Sequence, residues 1–277
     1  MAGRFANSPE FRQLLAGEDL VDTTRLAFEL ARDAYPYLDE VRYLRRIDEL
    51  AERVRDRCPN GLKVRQVLGQ INWVLFFEEG YRGNVDDYYD PRNSYLNDVI
   101  DRRVGIPISL SVLYLAVADR IGLDMAGVNL PAHFMVRLRA TPLFVDPFQA
   151  GLLLDPAGCA RRIAEVTGRE TVSLPDDALA PCPPRTLVTR MLRNLKATYL
   201  KREEFHSAVP VLRRLVALDP GNAEERRDLG IICMHTDMPG DAIEHLEAYV
   251  QAQPSAIDRE MVNLVLKAAW RDLARRN

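Results

Sequence analysis

At 277 residues the chain is longer than one compact core requires and suits two domains of roughly 100–200 residues each. Hydrophobic residues at 47% and charged residues at 28% exclude the composition of a disordered chain. A net charge of −3 excludes a global positive field that would draw nucleic acid or an anionic membrane. The 37 Lys+Arg and 40 Asp+Glu are interleaved, which reads as a helical surface laced with ion pairs rather than a functional charge patch.

The opening stretch, MAGRFANSPEFRQLLAGEDL, has no apolar run of the kind a secretory signal needs. No later run approaches the roughly 20 apolar residues that cross a bilayer. A soluble, cytoplasmic protein with no membrane or nucleic-acid partner is expected. Cys58, Cys159, Cys182 and Cys233 are scattered, with no CxxC or Cys/His cluster at zinc spacing. They read as isolated thiols in a reducing compartment, and neither a metal nor a cofactor is expected.

Residues 8–57 carry helical periodicity. Asn7 or Ser8 ahead of Pro9 makes a start signal. Val41, Leu44, Ile47, Leu50, Ala51 and Val54 repeat at helical intervals until Cys58-Pro59-Asn60-Gly61 stops them. A further helix is expected over 64–79, ending at Gly80. Loop chemistry follows from Tyr81 to Arg92, including Asp86-Asp87-Tyr88-Tyr89-Asp90, which reads as a polar Ω-like segment tied down by its own tyrosines. Adjacent carboxylates there point in different directions, which argues against a cation site. A helix over 94–103, a Gly105-Ile106-Pro107 turn and a strongly apolar helix over 109–121 come next, with Ser109 as the expected N-cap. Residues 125–129, 134–138 and 143–145 are short β-type runs separated by Pro131 and Thr141-Pro142. Proline clusters in 168–184, and the domain boundary is placed there, giving domains 1–184 and 185–277.

The second domain repeats. Pro220 and Pro254 stand 34 residues apart, the period of a tetratricopeptide repeat. Leu195, Tyr199, Ala208, Leu212 and Pro220 align with Leu229, Cys233, Ala242, Leu246 and Pro254. Gly230 fills the glycine slot of the second copy. Residues 257–276 would form a capping helix. Such a pair predicts either a concave groove for a protein or peptide partner or a structural buttress.

The chemistry-bearing residues lie between Asn93 and Phe148. His133 enters one strand and Asp146 leaves the next, so the two can stand side by side. A carboxylate beside an imidazole fixes its tautomer, which is the base-and-orienter half of a catalytic triad. The run INWVLFFEEGYRGNVDDYYDPRNSYLNDVIDRRVGIPISLSVLYLAVADRIGL, followed by PAHFMVRL and FVDPF, resembles the SirB-type transglutaminase-like family of bacteria. The resemblance covers roughly residues 26–159, and the repeats match that family's second domain. It departs at Ala132, where the family has glycine before the histidine.

The resemblance implies an α+β architecture: a papain/transglutaminase-like domain with a small antiparallel sheet, followed by an all-α tetratricopeptide-repeat domain. It also implies a catalytic order of Cys at a helix start, then His, then Asp, of which His133 and Asp146 match the last two. Related domains that keep the cysteine place it about fifteen residues before the glycine matching Gly122, a count that lands on Pro107. No cysteine lies between Val104 and Tyr114, and the hydroxyls available before the tyrosine are Ser109 and Ser111. The expectation is a non-catalytic scaffold or regulatory binding module for a protein or peptide partner. The alternative is an amide hydrolase or acyl transferase using His133 and Asp146 with Ser109 or a water. In either case Tyr89, Asp90 and Asn93 are the candidate binding residues.

Overall fold

A computed structural model describes residues 5, 7–18 and 21–276. Several residues of the opening stretch therefore lie outside the described ones. By its contacts the chain divides into two compact units, 2–191 and 192–277.

The first unit opens with helices α1 (Pro9–Ala16), α2 (Thr23–Ala31) and α3 (Glu40–Asp56). Asp22 and Asp39 accept backbone N–H bonds at the starts of α2 and α3, as N-caps do. The Ser8 side chain makes no such bond at the start of α1, where Pro9 occupies the first turn. The helix expected over 64–79 divides into α4 (Val64–Asn72) and a wider π-helical turn over Trp73–Glu78. The wider winding shows in the Glu79 N–H, which reaches Val74 O at 3.0 Å.

Arg82–Gly83 (β1) pairs in parallel with Val104–Gly105 (β2), on either side of α5 (Leu96–Arg102). Helix α6 (Pro107–Arg120) begins two residues before the expected start. Its N-cap is Ile106 and Pro107 takes the first helical position, where a missing N–H costs nothing. Ser109 is therefore not the N-cap. It sits in the third position and reaches back to accept the Ile106 N–H at 3.0 Å.

The sheet is four-stranded and antiparallel: β3 (Met125–Leu130), β4 (His133–Leu138), β5 (Phe144–Asp146) and β6 (Leu152–Leu154), adjacent in chain order. Leu130 pairs with His133, so Pro131 and Ala132 alone make the turn between β3 and β4. Ala132 has φ 55°, the left-handed backbone that glycine adopts without strain. Helix α7 (Pro156–Thr167) follows, capped by Asp155 and closed by Gly168. It packs Cys159 and Ile163 on Val128, Leu130, Met135 and Phe144 of the sheet.

The second unit is helical. Helix α8 (Pro184–Lys201) runs through the division, followed by α9 (Phe205–Leu218), α10 (Ala223–His235), α11 (Pro239–Ala252) and α12 (Arg259–Ala274). Leu195, Tyr199, Ala208 and Leu212 are buried, as are Leu229, Cys233, Ala242 and Leu246 of the second copy. The glycine slot has a steric reason. A Cβ on Gly230 would lie 2.6 Å from Leu246 Cγ and 3.3 Å from Ala242 O, so α10 and α11 meet there without room for a side chain.

Candidate functional site

His133 opens β4 and Asp146 closes β5, and both are buried. His133 Nε2 lies 2.9 Å from Asp146 Oδ2. The same oxygen accepts Arg162 Nε at 3.1 Å, and Oδ1 accepts the Phe148 N–H at 3.0 Å. The carboxylate thus has three donors, which is what an ionised group sealed from water requires. In a neutral ring the nitrogen that faces the carboxylate, Nε2, is the one that donates, and Nδ1 is then the acceptor. Nδ1 makes no hydrogen bond among the described residues, nor is it among the sealed side-chain atoms that lack a partner. It is the unbonded end of a ring that is itself almost fully buried.

The surroundings hold the pair in place. The Phe148 ring meets His133 edge-on at 6.1 Å between centroids and lies where a Cβ on Gly83 would be, 2.5 Å from that position. The loop after Asp146 turns through Ala150 and Gly151, both at positive φ. Asn72 Nδ2 donates to Gly151 O at 2.7 Å, and Tyr114 of α6 donates to Asn72 Oδ1 at 3.1 Å. A side chain on Gly151 would collide with Asn72, so glycine is required there on two grounds.

At the start of α6 the available hydroxyls do different work. Ser109 is buried, donates to Asn93 O at 2.6 Å and accepts from Ile106 N. Ser111 is buried too, and its Oγ has no hydrogen-bond partner among the described residues. Pro107 offers no reactive group. Cys159 lies on α7, where its thiol contacts Met135 Sδ at 3.9 Å. Burial first, then the Asp155 and Asp146 carboxylates, push that thiol up to about 12, so it is held protonated.

The three candidate binding residues separate. Asn93 is buried, with Nδ2 donating to Asp87 O at 2.7 Å and Oδ1 accepting from Asn84 Nδ2 at 3.0 Å. Asp90 is buried as well, caps the short turn Pro91–Asn93 and pairs with Arg92 and Arg102 at 2.8 and 3.0 Å. These two residues shape the 84–93 loop from inside. Tyr89 is 39% exposed and stands with Tyr88, 38% exposed, in a T-shaped pair 5.5 Å apart. Asn84, Asp90 and Asn93 thus tie the loop from inside. Among the described residues no group of three or more His, Cys, Asp or Glu could hold a metal ion, and no helix is long and apolar enough to cross a membrane.

The sequence reading contains neither α7 nor, with it, Arg162 as a partner of Asp146. Asp155-Pro156 ahead of it and Gly168 behind it were the signals that could have found it.

A central helix against a small antiparallel sheet, with His and Asp on neighbouring strands, defines a transglutaminase-like domain. A transglutaminase-like superfamily model matches residues 41–193, and a tetratricopeptide-repeat model matches 195–267. A UPF0162 protein of Xylella fastidiosa is 38% identical over 243 residues, 85% of each chain. The chain belongs to this UPF0162 family of transglutaminase-like proteins with tetratricopeptide repeats. A UPF0162 protein of Vibrio cholerae is 25% identical over 202 residues, 72% of this chain and 74% of that one. F-box only protein 21 of Mus musculus is 49% identical over 72 residues, 26% of this chain and 12% of that one.

Proposed function

We propose that the chain is a non-catalytic transglutaminase-like scaffold that binds a protein or peptide partner, with its repeats contributing to the docking. The observation that carries this reading is the start of α6. Pro107 occupies the first helical position, and the nearest hydroxyl, Ser109, is buried and engaged by Asn93 and Ile106. A helix start activates a thiol by lowering its pKa, whereas a proline gives it nothing to act on. Repeat domains of this type bind proteins, and the exposed Tyr88–Tyr89 pair suits a peptide contact.

The purified chain is expected to show no transglutaminase or peptidase turnover above a His133→Ala control. Turnover that this substitution removes would overturn the reading. One observation favours the alternative, a hydrolase or acyl transferase: His133 Nδ1 makes no hydrogen bond among the described residues and could act on a water as general base. Ser109 is poorly placed for that route, since its proton already goes to Asn93 O.

A further inference from the structure

A concavity of about 430 Å³ shares no residue with the His133 pair. Arg42, Arg45 and Arg46 line it from α3, Arg103 from the end of α5, and Glu49 and Asp101 are its two carboxylates. The wall therefore carries four guanidinium groups against two carboxylates. The sealed carboxylate of Glu79 does not restore the balance. It is shared by three cations: Arg46 at 2.6 Å, Arg103 at 3.2 Å, and Arg53, and Arg46 is also paired with Glu49 of the wall at 3.0 Å, which leaves Arg42 and Arg45 the more available. Arg42 pairs only with Asp101, at 3.0 Å and with both side chains largely in water, while Arg45 has no carboxylate partner among the described residues. Such surface pairing holds a guanidinium weakly and leaves it available.

Arg103 is the left-handed cap that ends α5. Its φ is 59°, left-handed backbone where glycine or asparagine is at ease and a β-carbon is strained. This cap turns the chain so that the Arg103 side chain joins the wall formed by α3. The volume is that of a small-molecule site. Guanidinium groups arranged in a fork match the oxygens of a phosphate, and several around one hollow suit more than one phosphate group.

We infer that this hollow binds a phosphate-bearing small molecule, of which inorganic diphosphate is the smallest probe that engages several arginines at once. The interleaved charges of the sequence conceal it, because α3 brings three arginines to a wall that Arg103 completes from elsewhere in the chain.

The test is calorimetric titration of the full chain with inorganic pyrophosphate at low salt. Saturable binding is expected. The double variant Arg42→Gln/Arg45→Gln should weaken it about tenfold or more, the equivalent of losing at least one charge-assisted hydrogen bond. Arg103→Gly should weaken it similarly while suiting the left-handed backbone, so loss of binding there cannot be ascribed to misfolding once circular dichroism is unchanged. Citrate, of similar charge on carboxylates, should bind about tenfold more weakly. Absence of saturable heat, full affinity in the folded variants, or citrate binding as tight as pyrophosphate would each overturn the assignment.

Discussion

The His133–Asp146 pair on β4 and β5 and the start of α6 are built differently. At the strands His133 and Asp146 stand 2.9 Å apart in a network that also holds Arg162 and the Phe148 N–H. At the helix start there is a proline, and Ser109 ties Ile106 to Asn93. The difference has a physical basis. Removing one member of a buried polar network strands the others in a low dielectric, so such a network resists change even without turnover to protect it. A nucleophile at a helix start has no comparable structural hold, and proline suits the first helical position well. The presence of the pair is therefore weak evidence for catalysis.

The largest expected effect tests the structural hold on the pair. Asp146→Ala removes the acceptor of three donors and should destabilise the first unit by about 3–5 kcal/mol, measured by denaturant unfolding. A loss below about 1 kcal/mol would show that the network does not explain why the pair persists.

The same comparison was only partly legible in the sequence. His133 and Asp146 can be brought together on paper because β-type runs flank a two-residue corner at Pro131-Ala132 and another turn follows. The repeats were legible because a 34-residue period constrains several slots at once. What escaped was set by tertiary contact. β1 and β2 are two residues each and carry no pattern, and β6 is Leu152–Leu154, three leucines without alternation. Arg162 lies 16 residues past Asp146 on a helix with ordinary amphipathic content. Ser109 looked like an N-cap from its side chain, but Pro107 moved the helix start and gave the hydroxyl a different partner. The inward turn of Asn93 and Asp90 is likewise set by contacts with Asn84 and Arg102, which composition does not show.

At the helix start, Ser109→Ala should cost about 1–3 kcal/mol, since it takes the hydroxyl from Asn93 O and Ile106 N inside the protein. A neutral result would free Ser109 from the structural role given to it. The thiol on α7 sharpens the comparison through pH. Cys159 is held up to about 12, above its unfolded value near 8.5. Between those values the unfolded chain has released a proton that the folded chain keeps, so stability must fall as pH rises past about 8.5. The fall should approach 1.4 kcal/mol per pH unit from this group, about the value of one pKa unit, and Cys159→Ala should remove that part of the slope. An unchanged slope would place the thiol in a less buried setting.

The smallest effect concerns the corner that presents His133. Ala132 holds φ 55°, so Ala132→Gly relieves a strained backbone while adding freedom to the unfolded chain. The net change should be a stabilisation of at most about 1 kcal/mol, with the His133 signals in an NMR spectrum little moved. A clear destabilisation would mean that the Ala132 methyl group is needed for packing.

The most direct measurement is intact-mass analysis of the folded full chain after treatment with iodoacetamide and, separately, with a serine-directed fluorophosphonate, with peptide mapping of any adduct. If the start of α6 has no nucleophile, no adduct should form in a His133-dependent manner, and Cys159 should remain unmodified until the chain is unfolded. A fluorophosphonate adduct on Ser109, or rapid alkylation of Cys159 that His133→Ala abolishes, would contradict the account and restore the chain to the enzymes.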